Sequence, residues 1–125
     1  MYTFNFEKLE VWKKSREYTR KVYTLTKQFP DEEKFGLINQ LRRSSISVCS
    51  NIAEGSSRIS KKDQKHFYNL AYSSIMENIN QILIGEDLEY VTASDVQLLR
   101  KEVNIISYML NNLRRSVDRK SISTE

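Results

Sequence analysis

Val96, Leu99, Val103, Ile106, Leu110, Leu113 and Val117 recur at alternating steps of three and four residues through the last part of the chain. That spacing puts apolar side chains on one stripe of an α-helix, and seven consecutive matches specify a helix packed at a shallow angle on its neighbours. A stripe this long needs partners, and the rest of the sequence supplies them. Val11, Ser15, Tyr18, Val22, Leu25 and Phe29 keep the same rhythm over about Glu7 to Gln28, and Ile38, Leu41, Ser45, Val48 and Ile52 keep it as far as about Ser57.

Punctuation between these segments is helical too. Pro30 ends the first and is able to occupy the first turn of the second, where Asp31, Glu32 and Glu33 suit the positive end of the helix dipole. The small Ser45 allows a neighbouring helix to come close, and Gly55 marks the start of an exit turn. Ser60-Lys61-Lys62-Asp63 resembles a capping box for a third helix ending near Glu86. Its stripe of Tyr68, Tyr72, Ile75, Ile79 and Ile82 is broadened by Phe67, Ala71 and Leu83. Asp87 to Val91 reads as a connection, and Thr92-Ala93-Ser94-Asp95 caps the fourth helix.

The expected fold is all-α, an up-and-down antiparallel four-helix bundle forming one domain over residues 1–125. Its helices span about 7–28, 31–57, 60–86 and 93–118, and a polar tail over 119–125 is expected to fray. Three glycines and one proline are too few for a barrel or sandwich of many short strands. No stretch approaches the roughly 18 apolar residues of a membrane span, and Met1 to Glu10 lacks a secretory pattern, so the cytoplasm is the expected compartment. Cys49 has no second cysteine to pair with and reads as a small buried or half-buried thiol.

A catalytic reading needs a nucleophile with its base, opposed carboxylates or a metal cluster, and none has the required spacing. The single histidine, His66, lies opposite the apolar arc of its helix and reads as solvated. Glu86, Asp87, Glu89 and Asp95 lack the regular ligand spacing and turn glycine of an EF-hand loop. Glu-x-x-His pairs and phosphate-cradling glycine loops are absent as well. The expectation is therefore a protein that is not an enzyme, with no catalytic residue, metal, cofactor or small-molecule substrate.

Charge is more informative. The chain carries a formal +4. Between Lys34 and Lys65 it holds Lys34, Arg42, Arg43, Arg58, Lys61, Lys62 and Lys65 against only Glu54 and Asp63. Arg58, Lys61, Lys62 and Lys65 gather at the turn between helices two and three, where they serve either as phosphate contacts for RNA or DNA or as a solubilising turn. Arg114, Arg115, Arg119 and Lys120 read as complements to the dipole at the end of helix four. Trp12, Thr19 and Tyr23 fall a quarter-turn from the stripe of helix one, and Ile46 and Ala53 lie outside that of helix two. These surplus apolar groups point to self-association or, alternatively, to a protein-interaction adaptor that binds no nucleic acid.

The run Phe35-Gly36-Leu37-Ile38-Asn39-Gln40-Leu41-Arg42-Arg43-Ser44-Ser45, followed by Ser47 to Gly55, resembles the signature of the 23S rRNA intervening-sequence proteins. Leu9-Glu10-Val11-Trp12, Phe29-Pro30 and Phe67 to Glu77 extend the similarity over nearly the whole chain. The resemblance implies a short four-helix bundle that assembles into five-membered rings. Some family members are encoded within insertions in ribosomal RNA genes, and a distant relative accompanies the reverse transcriptase of diversity-generating retroelements. The matched positions are Gln40, Leu41, Arg42, Arg43, Asn51, Ile52, Ala53, Glu54 and Gly55, which form no catalytic set. Arg43 and Glu54 point away from the core and Arg42 and Asn51 flank it, which suits contacts between subunits as well as RNA binding. The expected nucleic-acid set is Arg42, Arg43, Arg58, Lys61, Lys62 and Lys65; the expected oligomer interface is Trp12, Tyr23, Ile46, Asn51 and Glu54.

Overall fold

Four α-helices account for most of the chain in a computed structural model, which describes the backbone of residues 1–123 and side chains as far as Arg119. They are α1 (Glu10–Thr26), α2 (Leu37–Ser57), α3 (Lys61–Asp87) and α4 (Ala93–Ser123). Single 3-10 turns at Asn5–Lys8 and Asp31–Glu33 precede α1 and α2. Each helix packs on its chain neighbours, α4 closes the ring against α1, and the diagonal pairs stay apart. Short links reverse the chain each time, giving an all-α up-and-down four-helix bundle.

Two expected caps are in place. The Ser60 hydroxyl accepts from the Asp63 amide at 3.1 Å. Thr92 and Asp95 cap α4 reciprocally, with the Asp95 amide donating to Thr92 Oγ1 at 3.0 Å and the Thr92 amide to Asp95 Oδ2 at 3.3 Å. The end of α3 is a Schellman motif: the Tyr90 amide donates to the Gly85 carbonyl and the Glu89 amide to that of Glu86, both at 2.9 Å. Glu89 occupies the left-handed position with φ 65°, where glycine is usual.

Several helix limits differ from those expected. The chain before α1 is a 3-10 turn because Leu9 adopts extended backbone, so α1 begins at Glu10 rather than Glu7. Asp31–Glu33 does not run on into α2, because Gly36, with φ −109° and ψ −113°, breaks the helical path. Gly55 opens the exit turn as expected, its carbonyl accepting from the Arg58 amide at 3.2 Å. It lies within α2, buried, where an added Cβ would stand 2.6 Å from Cε1 of Tyr68, so it also lets α3 come close. α4 continues to Ser123 instead of stopping near 118, since no glycine or proline interrupts it. The rest of the tail, Thr124 and Glu125, lies outside the described residues.

The stripes of α1 and α4 are buried as their periodicity requires, Leu113 alone being half-buried. On α3 the buried line is different. Ala71 and Asn78 replace Tyr72 and Ile79 at its centre, and Ser74 and Gln81 are buried beside them. The polar members satisfy one another: Tyr18 Oη donates to Asn78 Oδ1 at 2.6 Å, and Asn78 Nδ2 donates to the Leu41 carbonyl at 3.1 Å and to Ser44 Oγ at 2.9 Å. Ser44 also lies 2.8 Å from Gln81 Oε1. Helical periodicity assigns such Asn and Gln positions to solvent, which is why the inner face of α3 is misplaced by it.

Candidate nucleic-acid interface

Only Arg58, Ile59 and Ser60 separate α2 from α3, the two helices with the most extensive seam. The Gly55–Tyr68 contact holds them together just before the turn, so the cations on either side of it are fixed at one end of the bundle. Arg58 Nη2 meets Glu54 Oε1 at 2.7 Å, and its guanidinium lies over the Phe67 ring, 4.7 Å from the centroid. Gln64 Nε2 donates to the Arg58 carbonyl at 2.8 Å and ties the turn down. Lys65 pairs with Asp118 of α4 at 2.9 Å. Lys61 and Lys62 are exposed on the first turn of α3 and have no carboxylate at ion-pair distance among the described residues.

Arg42 and Arg43 do not join this cluster. Arg58 follows Arg42 by sixteen positions, about 24 Å along the axis of α2 at the usual rise. Arg42 is also occupied: its Nε donates to Thr26 Oγ1 at 2.9 Å, and its guanidinium covers the Tyr23 ring at 4.5 Å. Arg43 is exposed beside an open hollow that Gln40, Ser47 and Glu77 also line. The six candidate cations therefore do not form one patch.

The five residues assigned to an interface are scattered as well. Tyr23 is half-buried beneath Arg42, whereas Ile46 stands 44% exposed on α2. Trp12 is half-buried, packed on the core and edge-on to Phe6 at 5.0 Å, with Arg16 over its ring. Asn51 Nδ2 donates to the Ser47 carbonyl at 2.9 Å, and Glu54 is held by Arg58. Asn51 and Glu54 do share a setting, an open groove of about 690 Å³ bounded on its other side by Tyr2, Phe4 and Phe6.

Those three aromatics escaped the helical periodicity. Tyr2 and Phe4 are 80% and 57% exposed, and their rings meet edge to face at 5.1 Å. Phe4 and Phe6 are parallel, 6.1 Å apart. The sequence signal is the alternation of aromatic residues at Tyr2, Phe4 and Phe6, which belong to no helical stripe, Phe6 itself lying in the 3-10 turn. Glu7 fixes the segment by accepting from the Phe4 amide at 2.8 Å.

Groups with conventional reactivity lie elsewhere. His66 is exposed, edge-on to Phe67. Cys49 is half-buried, 3.6 Å from Thr19 Oγ1, and burial pushes its thiol pKa up, away from the reactive thiolate. Arg114 on α4 bonds Asn69 and Asn111 and covers Tyr72, while Arg115 reaches Asn112 at 3.3 Å. The side chain of Lys120 lies outside the described residues. No described helix is long and apolar enough to cross a membrane.

Residues 7–112 match the family model described as 23S rRNA-intervening sequence protein. The chain belongs to this family. Among solved structures, a protein of unknown function from the S23 ribosomal protein family of Bacteroides thetaiotaomicron is similar, with a TM-score of 0.77 at 24% identity. The similarity covers 84% of this chain and 95% of that one, and at this identity it concerns the fold. None of the curated proteins matches. As a 23S rRNA-intervening sequence protein, the chain carries Gln40 to Gly55, positions on which the resemblance rests, on α2. Arg42 meets α1 there, Gly55 meets α3, and Asn51 and Glu54 face the groove.

Proposed function

We propose that the chain is a cytoplasmic, non-enzymatic homo-oligomeric bundle that binds RNA or DNA through the turn between α2 and α3. The observation that carries this reading is the pair Lys61 and Lys62, exposed beside Arg58 and free of acidic partners among the described residues. Cations so placed meet phosphates without first giving up an internal ion pair. The family description, which refers to 23S rRNA, supports an RNA context. A ring of five subunits, the assembly implied by the family resemblance, would present several such turns together and strengthen a weak contact.

The test is binding of a labelled RNA and a labelled DNA by fluorescence anisotropy at two salt concentrations. Affinity is expected to fall steeply with salt and to fall again when Lys61 and Lys62 are changed to Ala. Absence of binding at low salt overturns the reading.

A second observation favours protein contacts. Leu98, Ile105 and Tyr108 are 63%, 44% and 68% exposed along one side of α4, spaced so that they share an outward face. This face supports self-association, or an adaptor role if no nucleic acid is bound. Native mass measurement decides about assembly: a multiple of 14.8 kDa is expected, and a strict monomer at micromolar concentration excludes it.

A further inference from the structure

The aromatic groove and the basic turn meet at Arg58. Arg58 touches two of the residues that line the groove, Glu54 by an ion pair and Phe67 by stacking, and Lys61 and Lys62 follow it within four residues. Across the groove stand Tyr2 and Phe4, aromatic rings left largely in water, where exposure of such apolar area is unfavourable unless something covers it. Asn51 also lines the groove, and its amide oxygen is suited to the amino groups of base edges. Base pairs of a duplex are stacked and offer a side-lying aromatic ring no free face, whereas unpaired bases stack readily on exposed rings.

We infer that the groove between the Tyr2-Phe4-Phe6 segment and α2 binds an unpaired stretch of polynucleotide, its bases stacked on Phe4 and Tyr2 and its phosphates on Lys61 and Lys62. The inference rests on the proposed nucleic-acid reading and deepens it: it separates single strands from duplexes and adds aromatic residues that the charge pattern does not indicate. Covering the rings removes apolar area from water, while the cations fix the backbone beside them. Arg58, already paired with Glu54 and stacked on Phe67, joins the groove to the turn that carries the two lysines.

The experiment compares fluorescein-labelled oligo-uridylate and oligo-thymidylate of about a dozen nucleotides, within the site sizes such grooves use, with a duplex of the same length. The full chain is used at low salt. The wild type is expected to favour both single strands over the duplex, and Phe4→Ala to weaken single-strand binding on the order of tenfold, the effect of losing one stacked base, with duplex binding unchanged. Phe4→Trp, which keeps a stacking face, restores it, and Lys61→Ala with Lys62→Ala weakens every ligand. Equal affinity for strand and duplex, or Phe4→Ala binding single strands like the wild type, overturns the inference and leaves the basic-turn reading standing. If no oligonucleotide binds, both fail. A Phe4→Ala protein with reduced native mass shows instead that a second copy of the chain covers the groove, which also overturns the inference.

Discussion

The hydroxyl of Tyr18 on α1 donates to Oδ1 of Asn78 on α3 at 2.6 Å, across a diagonal that the helix backbones do not bridge. Both side chains are buried, so the bond fixes the register of α1 against the α2–α3 pair more narrowly than apolar packing does. Removing one partner strands the other. Asn78→Leu leaves the Tyr18 hydroxyl and Ser44 without their contact and is expected to lower stability by about 1–3 kcal/mol in urea unfolding. Tyr18→Phe combined with Asn78→Leu is expected to destabilise by less than the sum of the single changes.

The same tyrosine sets an alkaline limit. Burial, with Glu102 adding to it, raises the Tyr18 pKa above its ordinary 10.0. A folded-state pKa above the unfolded one means that the folded chain holds the proton longer, so its stability is full below about pH 10 and is lost as pH rises beyond it. The loss is expected to approach about 1.4 kcal/mol per pH unit from this group. In Tyr18→Phe this contribution disappears, and unfolding monitored by circular dichroism between neutral and alkaline pH is expected to show a shallower decline.

Gly55 and Tyr68 bring α2 and α3 close together. A Cβ at residue 55 would stand 2.6 and 2.8 Å from two carbons of the Tyr68 ring. Gly55→Ala gains helix propensity, yet the overlap forces the helices apart, and a net destabilisation of about 1–3 kcal/mol is expected, read as a lower Tm. An unchanged or raised Tm would contradict the packing role.

Glu89 offers the opposite case. It holds φ 65° at the end of α3, a conformation that glycine adopts without steric conflict. Glu89→Gly is expected to raise the urea midpoint, corresponding to about 1 kcal/mol.

Arg42 separates structural from ligand-binding cations. With its guanidinium engaged by Thr26 and Tyr23, Arg42→Lys is expected to cost about 1 kcal/mol of stability through loss of the planar contact. Oligonucleotide affinity is expected to remain unchanged, unlike that of the Lys61 and Lys62 variants.

Legibility followed the kind of force involved. Apolar spacing located all four helices, and it placed Val22, Leu41, Ile75 and Ile106 inside because hydrophobic burial acts through periodic positions along a single helix. It misjudged the inner face of α3, since Asn78 and Gln81 are buried only because partners on α1 and α2 meet their hydrogen-bonding needs. In the candidate site, the cations at the turn were legible from their closeness along the chain. The separation of Arg42 and Arg43 from that turn was legible only once the length of α2 was known.

The sequence by itself determined an all-α bundle, the stripes of α1 and α4, two of its caps and the membership of the basic turn, because each depends on residues a few positions apart. The tertiary structure alone decided which cations are already engaged, which polar side chains enter the core, and that Tyr2, Phe4 and Phe6 stand across a groove from Asn51 and Glu54. Those relationships join residues tens of positions apart, and only the packing of one helix on another brings them within contact distance.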